Sequence, residues 1–105
     1  MIDYDIAGDC FTKCLNADQA FMIYFYMEGC PACEKGKGLL GSSSKSNSII
    51  LINVNDPAVK HIAISNEITA VPTAVIISPN KNKVYPFISG YNEQTFNQFI
   101  DNKFD

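Results

Sequence analysis

The sequence predicts an α/β fold whose sheet is parallel in one part and antiparallel at its edge, and three observations predict it. Apolar runs at 20–27, 49–54 and 73–77 are short and continuous, as in strands buried on both faces, and helix-like segments lie between them. The turn Pro79-Asn80-Lys81-Asn82 leads into a stretch that can pair back on the third run. Cys30-Pro31-Ala32-Cys33 stands where the first run gives way to a helix, a junction that exposes a thiol to a helix N-terminus. At 105 residues the chain is expected to form one domain, residues 1–105, with a core that needs neither disulfide nor metal.

The elements follow in order. Gly8 to Asp18 reads as a first helix, with Asp9 as N-cap and Phe11 and Leu15 four apart on one inward face. Ala20 to Met27 is a buried strand of aromatic, aliphatic and sulphur side chains. Pro31 to Leu40 is a helix with proline in its first turn, where the missing N–H costs nothing. Gly36 and Gly38 weaken it, each by ~1 kcal/mol relative to alanine. Gly41 to Asn47 is a serine-rich loop, and Ile49 to Val54 is the second strand. Asp56 as N-cap and Pro57 at the first helical position open a helix to about Asn66. Thr73 to Ile77 is the third strand, and Lys83 to Ile88 returns as an edge strand that can tolerate Pro86. Asn92 caps a last helix that turns Phe96, Phe99 and Ile100 inward.

The chemistry concentrates at two places. A thiol at the start of a helix meets free backbone N–H groups and the positive end of the dipole, and both favour thiolate. Val71-Pro72-Thr73 supplies a turn at the start of the third strand, at a proline whose peptide bond could be cis. Together they point to thiol–disulfide exchange.

Over nearly its whole length the chain resembles the thioredoxin family. The residues that carry the resemblance are Leu15-Asn16-Ala17-Asp18-Gln19-Ala20 before the first core strand, Cys30-Pro31-Ala32-Cys33 and Asn53-Val54-Asn55. Val71-Pro72-Thr73 and Gly90 before the last helix complete the set. The resemblance implies a thioredoxin fold, a central mixed sheet of about four core strands with helices on both faces. It implies a protein-disulfide reductase in which Cys30 attacks to form a mixed disulfide and Cys33 resolves it. Gly29, Pro31, Val71, Pro72 and Gly90 would meet the substrate, Val71 through its backbone in short β-like pairing and Gly90 through close approach. Pro72, if cis, would set its ring against the two sulphurs. Disulfide-containing proteins are the implied substrates and a disulfide reductase the implied electron donor; no cofactor or metal is called for.

Three positions depart from that family, in two ways. Gly29 stands where its members carry tryptophan before the first active-site cysteine, and the chain has no Trp at all. Tyr24 and Leu51 stand where the family buries an acid and a lysine on adjacent strands. Losing both charges together is physically consistent, because either one alone in a core is costly.

Other readings are set by cysteine arithmetic and charge. Cys10 and Cys14, on one helix, would have Cβ atoms roughly 6 Å apart, too far for an unstrained disulfide. Cys10-x3-Cys14 with Cys30-x2-Cys33 also fits a four-cysteine structural zinc module. A redox-inactive binding subunit on the same scaffold is the third reading. Glu28, Glu34, Lys35 and Lys37 surround the cysteine pair with both signs of charge, and His61, the sole histidine, belongs on a solvated helix face. A net charge of −3 with eight Lys and Arg argues against nucleic acid as a partner. No apolar run is long enough to span a bilayer, and Met-Ile-Asp-Tyr-Asp is no secretory start, so a cytoplasmic monomer is expected.

Overall fold

The computed structural model describes residues 2–3, 16 and 19–105. The expected helix from Gly8 to Asp18, with Cys10 and Cys14 on it, lies outside the described residues. The strands are β1 (Ile2–Asp3), β2 (Phe21–Tyr26), β3 (Ile49–Asn53), β4 (Thr73–Ser78), β5 (Lys83–Val84) and β6 (Ile88–Ser89). Among the described residues three α-helices accompany them: α1 (Pro31–Gly41), α2 (Lys60–Ser65) and α3 (Glu93–Ile100). The sheet runs β1-β3-β2-β4-β5, with β6 also paired to β4. β3 pairs in parallel with β1 and β2, whereas β4 is antiparallel to β2, β5 and β6, so the sheet is mixed as the sequence implied.

The burial of β2 and β3 explains their composition. Alternate residues of both strands enter opposite cores, so every position favours an apolar side chain. On one face Met22, Tyr24, Leu51, Ala74 and Ile76 pack with Cys33 and Leu40 of α1 and with Phe96 and Phe99 of α3. On the other, Phe25, Ile52 and Val75 meet Val59 and Ala63 at α2. Helices therefore cover both faces. Tyr24 and Leu51 are register partners across β2 and β3, neighbours as the resemblance required.

Four local expectations are corrected. The segment after Asp56-Pro57 does not begin a helix at once: the Asp56 carboxylate accepts from Ala58 N–H at 2.9 Å, closing an Asx turn, and α2 starts only at Lys60. The edge strand from Lys83 to Ile88 is broken into β5 and β6. Residues 85–87 oppose only 75–76 of β4, one residue too many, and Pro86 sits in that bulge because it has no N–H for a ladder. The expected loop at 41–47 includes the last residue of α1 and the start of a 3-10 turn at Ser46–Ser48. β1 was not anticipated, since Ile2–Asp3 is too short to show a period.

A polar clasp closes the end of the sheet away from the cysteines. Lys45, 5% exposed, holds both oxygens of the Asp105 carboxylate at 3.2 Å and the Ala20 carbonyl at 3.3 Å. Its ammonium also lies 4.8 Å from the centre of the Phe99 ring, and Asp105 accepts from Ala20 N–H. Lys45→Met removes the charge and keeps the stem. It is expected to cost about 2–3 kcal/mol, below the roughly 3–5 of a fully buried pair, because the Asp105 side chain is 22% exposed. Urea denaturation checks this, and an unchanged midpoint would show the clasp to be energetically silent.

Candidate active site

β2 ends at Tyr26, and residues 27–30 carry the chain over the end of the sheet into α1. Gly29 makes the turn possible: its φ of +75° is left-handed backbone that a side chain disfavours. Where the resemblance would place a flat tryptophan, there is instead an exposed glycine with open space beside it. Cys30 is the N-cap of α1, with extended backbone, and its Sγ accepts from Cys33 N–H at 3.2 Å. Pro31 follows in the first turn, as expected.

Cys30 and Cys33 are joined by a disulfide, their Cα atoms 5.2 Å apart. The two sulphurs differ in access. Cys30 is half-buried, whereas Cys33 is fully buried in the core under α1. A helical C-x-x-C forces this asymmetry, because three residues bring the second side chain back along the helix, towards the sheet.

The second loop comes from the start of β4. Because β4 is antiparallel to β2, with Phe25 opposite Thr73, its first residues lie beside the last residues of β2. The Val71–Pro72 peptide is cis, and the Val71 carbonyl oxygen stands 4.0 Å from Cys30 Sγ. Thr73 fixes this turn by donating its hydroxyl to the Ala70 carbonyl at 2.7 Å. Gly90 joins the group through its N–H, which donates to the Pro72 carbonyl at 2.7 Å, and its φ of +81° again suits glycine. Cys30, Cys33, Val71, Pro72 and Gly90 thus converge on one end of the sheet, with Gly29 and Pro31 exposed beside them.

Sequence reasoning placed Lys35 and Lys37 beside the cysteines but missed what three tyrosines, Tyr24, Tyr26 and Tyr91, contribute. Lys37 lies over the Tyr26 ring, 4.4 Å from its centre, and Lys35 lies 5.9 Å from that of Tyr91, so both lysines are drawn onto aromatic rims. Tyr91 and Tyr24 each stack edge-on against Phe96. Tyr24 was read only as a missing acid. Its hydroxyl in fact donates to the Cys33 carbonyl at 3.0 Å. Burial, with the charges of Glu34 and Tyr91 adding, raises its pKa far above the ordinary tyrosine value, so the phenol stays neutral. The i, i+2 spacing of Tyr24 and Tyr26 was the available signal, since it separates one ring facing α1 from its neighbour Phe25 on the opposite face.

Among the described residues no three His, Cys, Asp or Glu side chains gather as a metal set; Cys10 and Cys14, which the four-cysteine reading requires, lie outside them. His61 is exposed on α2. No helix among the described residues is long and apolar enough to cross a membrane.

Comparison with known proteins agrees with this geometry. The thioredoxin family model matches residues 4–102. No curated protein matches the chain at a significant level. Among solved structures, the thioredoxin of Fasciola hepatica superposes with a TM-score of 0.68 at 18% identity, covering 94% of this chain and 92% of that one. The germline-specific thioredoxin Deadhead of Drosophila melanogaster gives 0.70 at 14% identity, with the same coverages of 94% and 92%. Oxidised mitochondrial thioredoxin 3 of Saccharomyces cerevisiae gives 0.63 at 19% identity, covering 96% and 91%. Identities this low speak for the fold alone, whereas the family model spans most of the sequence, cysteine pair included. On that match, and with the sheet order and cysteine pair described above, the chain belongs to the thioredoxin family.

Proposed function

We propose that the protein is a thiol–disulfide oxidoreductase that reduces protein disulfides through Cys30 and Cys33. The observation that carries this reading is the unequal exposure of two cysteines at the N-terminus of one helix, Cys30 half-buried and Cys33 buried. In the reduced protein, the Cys33 N–H and the positive end of α1 stabilise a Cys30 thiolate. That thiolate attacks one sulphur of a substrate disulfide, forming a Cys30 mixed disulfide and releasing the other substrate sulphur as thiolate. Cys33, giving up its proton, then attacks Cys30 Sγ; the Cys30–Cys33 bond forms and the second substrate thiolate leaves. Two electrons pass from the dithiol to the substrate, whose two thiolates take up two protons. A disulfide reductase must return two electrons to the protein before the next cycle.

Val71 and Gly90, both half-buried, are the proposed substrate rim, with the Val71 backbone pairing to an extended segment and the fully buried Pro72 shaping the turn beneath them. Gly29 and Pro31 border the same opening. With a glycine in place of a large apolar ring, selection of partners falls more heavily on the half-buried Tyr91 and on the backbone. A dithiol reductant needs a compartment that keeps its donor reduced, which favours the cytoplasm.

A Cys33→Ser variant is expected to trap disulfide-containing proteins covalently through Cys30, read by mass spectrometry of the adducts. Trapping by Cys30→Ser through Cys33 instead would reverse the two roles. Trapping by neither would favour a binding subunit without redox work.

A further inference from the structure

We infer that Tyr24 is a positioning residue for Cys33, holding the first turn of α1 through the Cys33 carbonyl so that the buried sulphur stays within reach of Cys30. This rests on the proposed exchange chemistry and names the residue that governs its second step. Three observations converge on it. Tyr24 is wholly buried, and its hydroxyl donates to the Cys33 carbonyl at 3.0 Å. Gly36, one turn further along α1, is the only residue type that fits above it. A Cβ there would collide with the Tyr24 hydroxyl and lie 3.0 Å from Tyr24 Cζ and 3.2 Å from Phe96 Cε2. The helix thus carries a glycine that weakens it at the one place where a phenol must pass beneath. The ring itself is held edge-on by Phe96, 6.0 Å between centres, so the hydroxyl has little freedom to turn away.

The two redox states depend on this anchor unequally. In the disulfide, the covalent bond fixes Cys33 whatever Tyr24 does. In the dithiol and in the mixed disulfide no covalent bond ties Cys33 to Cys30 directly, and it is held by packing, by the backbone of α1 and by this hydrogen bond from the sheet. Removing the bond frees the first turn of α1 in those states and lowers the effective concentration of Cys33 sulphur at Cys30. The neutral phenol offers no base, so its part is placement and not proton removal.

Tyr24→Phe keeps the ring and deletes the oxygen. Reduced protein is mixed with glutathione disulfide, quenched in acid at intervals and weighed by mass spectrometry. The Cys30–glutathione adduct is expected to decay about two- to tenfold more slowly in the variant, the effect of losing one neutral hydrogen bond. Its rate of formation should not change. A titration against reduced and oxidised dithiothreitol reads the same ring closure at equilibrium and should move towards the dithiol by a similar factor. Gly36→Ala should move it the same way, and by less in the Tyr24→Phe background, where the oxygen is already gone. A Tyr24→Phe titration within experimental error of the wild type, with only unfolding affected, would overturn the inference and leave Tyr24 as packing. A wild type that closes its disulfide normally in dithiothreitol but reduces no protein disulfide would overturn the proposed function alone.

Discussion

Tyr24→Asp is expected to destabilise the protein by about 3–5 kcal/mol at neutral pH, the range for a buried charge without a partner. The ring removed fills the space beneath Gly36 and packs on Phe96, so the smaller side chain leaves a cavity as well as an unpaired carboxylate. Its register neighbour Leu51 offers no charge. Burial raises the folded-state pKa of the new acid above its unfolded value of about 3.9. The folded variant therefore binds more protons than the unfolded chain between those two values, and its stability falls as pH rises through that window. Below pH 3.9 only the cavity and the buried polar group remain to be felt. Adding Leu51→Lys is expected to return part of the loss at neutral pH, since the two side chains enter one core from adjacent strands. Urea denaturation of the four proteins in the double-mutant cycle measures it. A coupling energy near zero would show that the two positions cannot form a pair.

Cys30→Ser is expected to lower disulfide turnover on the order of a thousandfold or more, about 4 kcal/mol or more in barrier height. A serine hydroxyl is almost wholly protonated at neutral pH and cannot replace a thiolate as nucleophile. Cys33, buried beneath α1, cannot take over an intermolecular attack without the helix moving. Fold stability of the reduced protein should change little, because Cys30 sits half-buried at a helix cap that serine also fills well. Turnover of a dithiol-driven protein disulfide assay measures the loss. Activity within tenfold of the wild type would place the first attack elsewhere.

The parts of this protein visible in its sequence are those dictated by local chemistry. A continuous apolar run from Phe21 to Tyr26 leaves little choice but a buried strand, and Cys30-Pro31 marks both the cap and the first turn of α1. Asn92 likewise announced α3, accepting from Thr95 N–H at 3.0 Å. Features set by partners far along the chain were illegible. The two-residue β1 exists because β3 offers an edge, and the bulge at 85–87 exists because β4 fixes two registers on either side of it. Asp56-Pro57 satisfied every local rule for a helix start, yet its carboxylate closes a tighter turn first. At the site, the cysteines and Val71-Pro72 were readable as motifs. The Tyr24 contact was not: alternation puts Tyr24 and Tyr26 on one face, but nothing in a six-residue apolar run says which ring lies under which glycine.

The pairing of Phe25 with Thr73 makes the spacing of the site a stepwise quantity. A strand cannot slide by one residue without sending each buried side chain into the core on the opposite face, where it meets the wrong neighbours, so the smallest register change that keeps both cores is two residues. At about 3.4 Å per residue that step is roughly 7 Å, enough to carry Pro72 and the Val71 carbonyl out of reach of the Cys30 sulphur. No intermediate arrangement exists in which the two loops are merely somewhat misaligned. The tolerance of the thiol chamber is therefore written in the packing of Tyr24, Phe25, Ala74 and Val75, deep in the sheet. The loops at Gly29 and Val71–Pro72 shape the opening, but the strand register beneath them sets the gap between sulphur and proline.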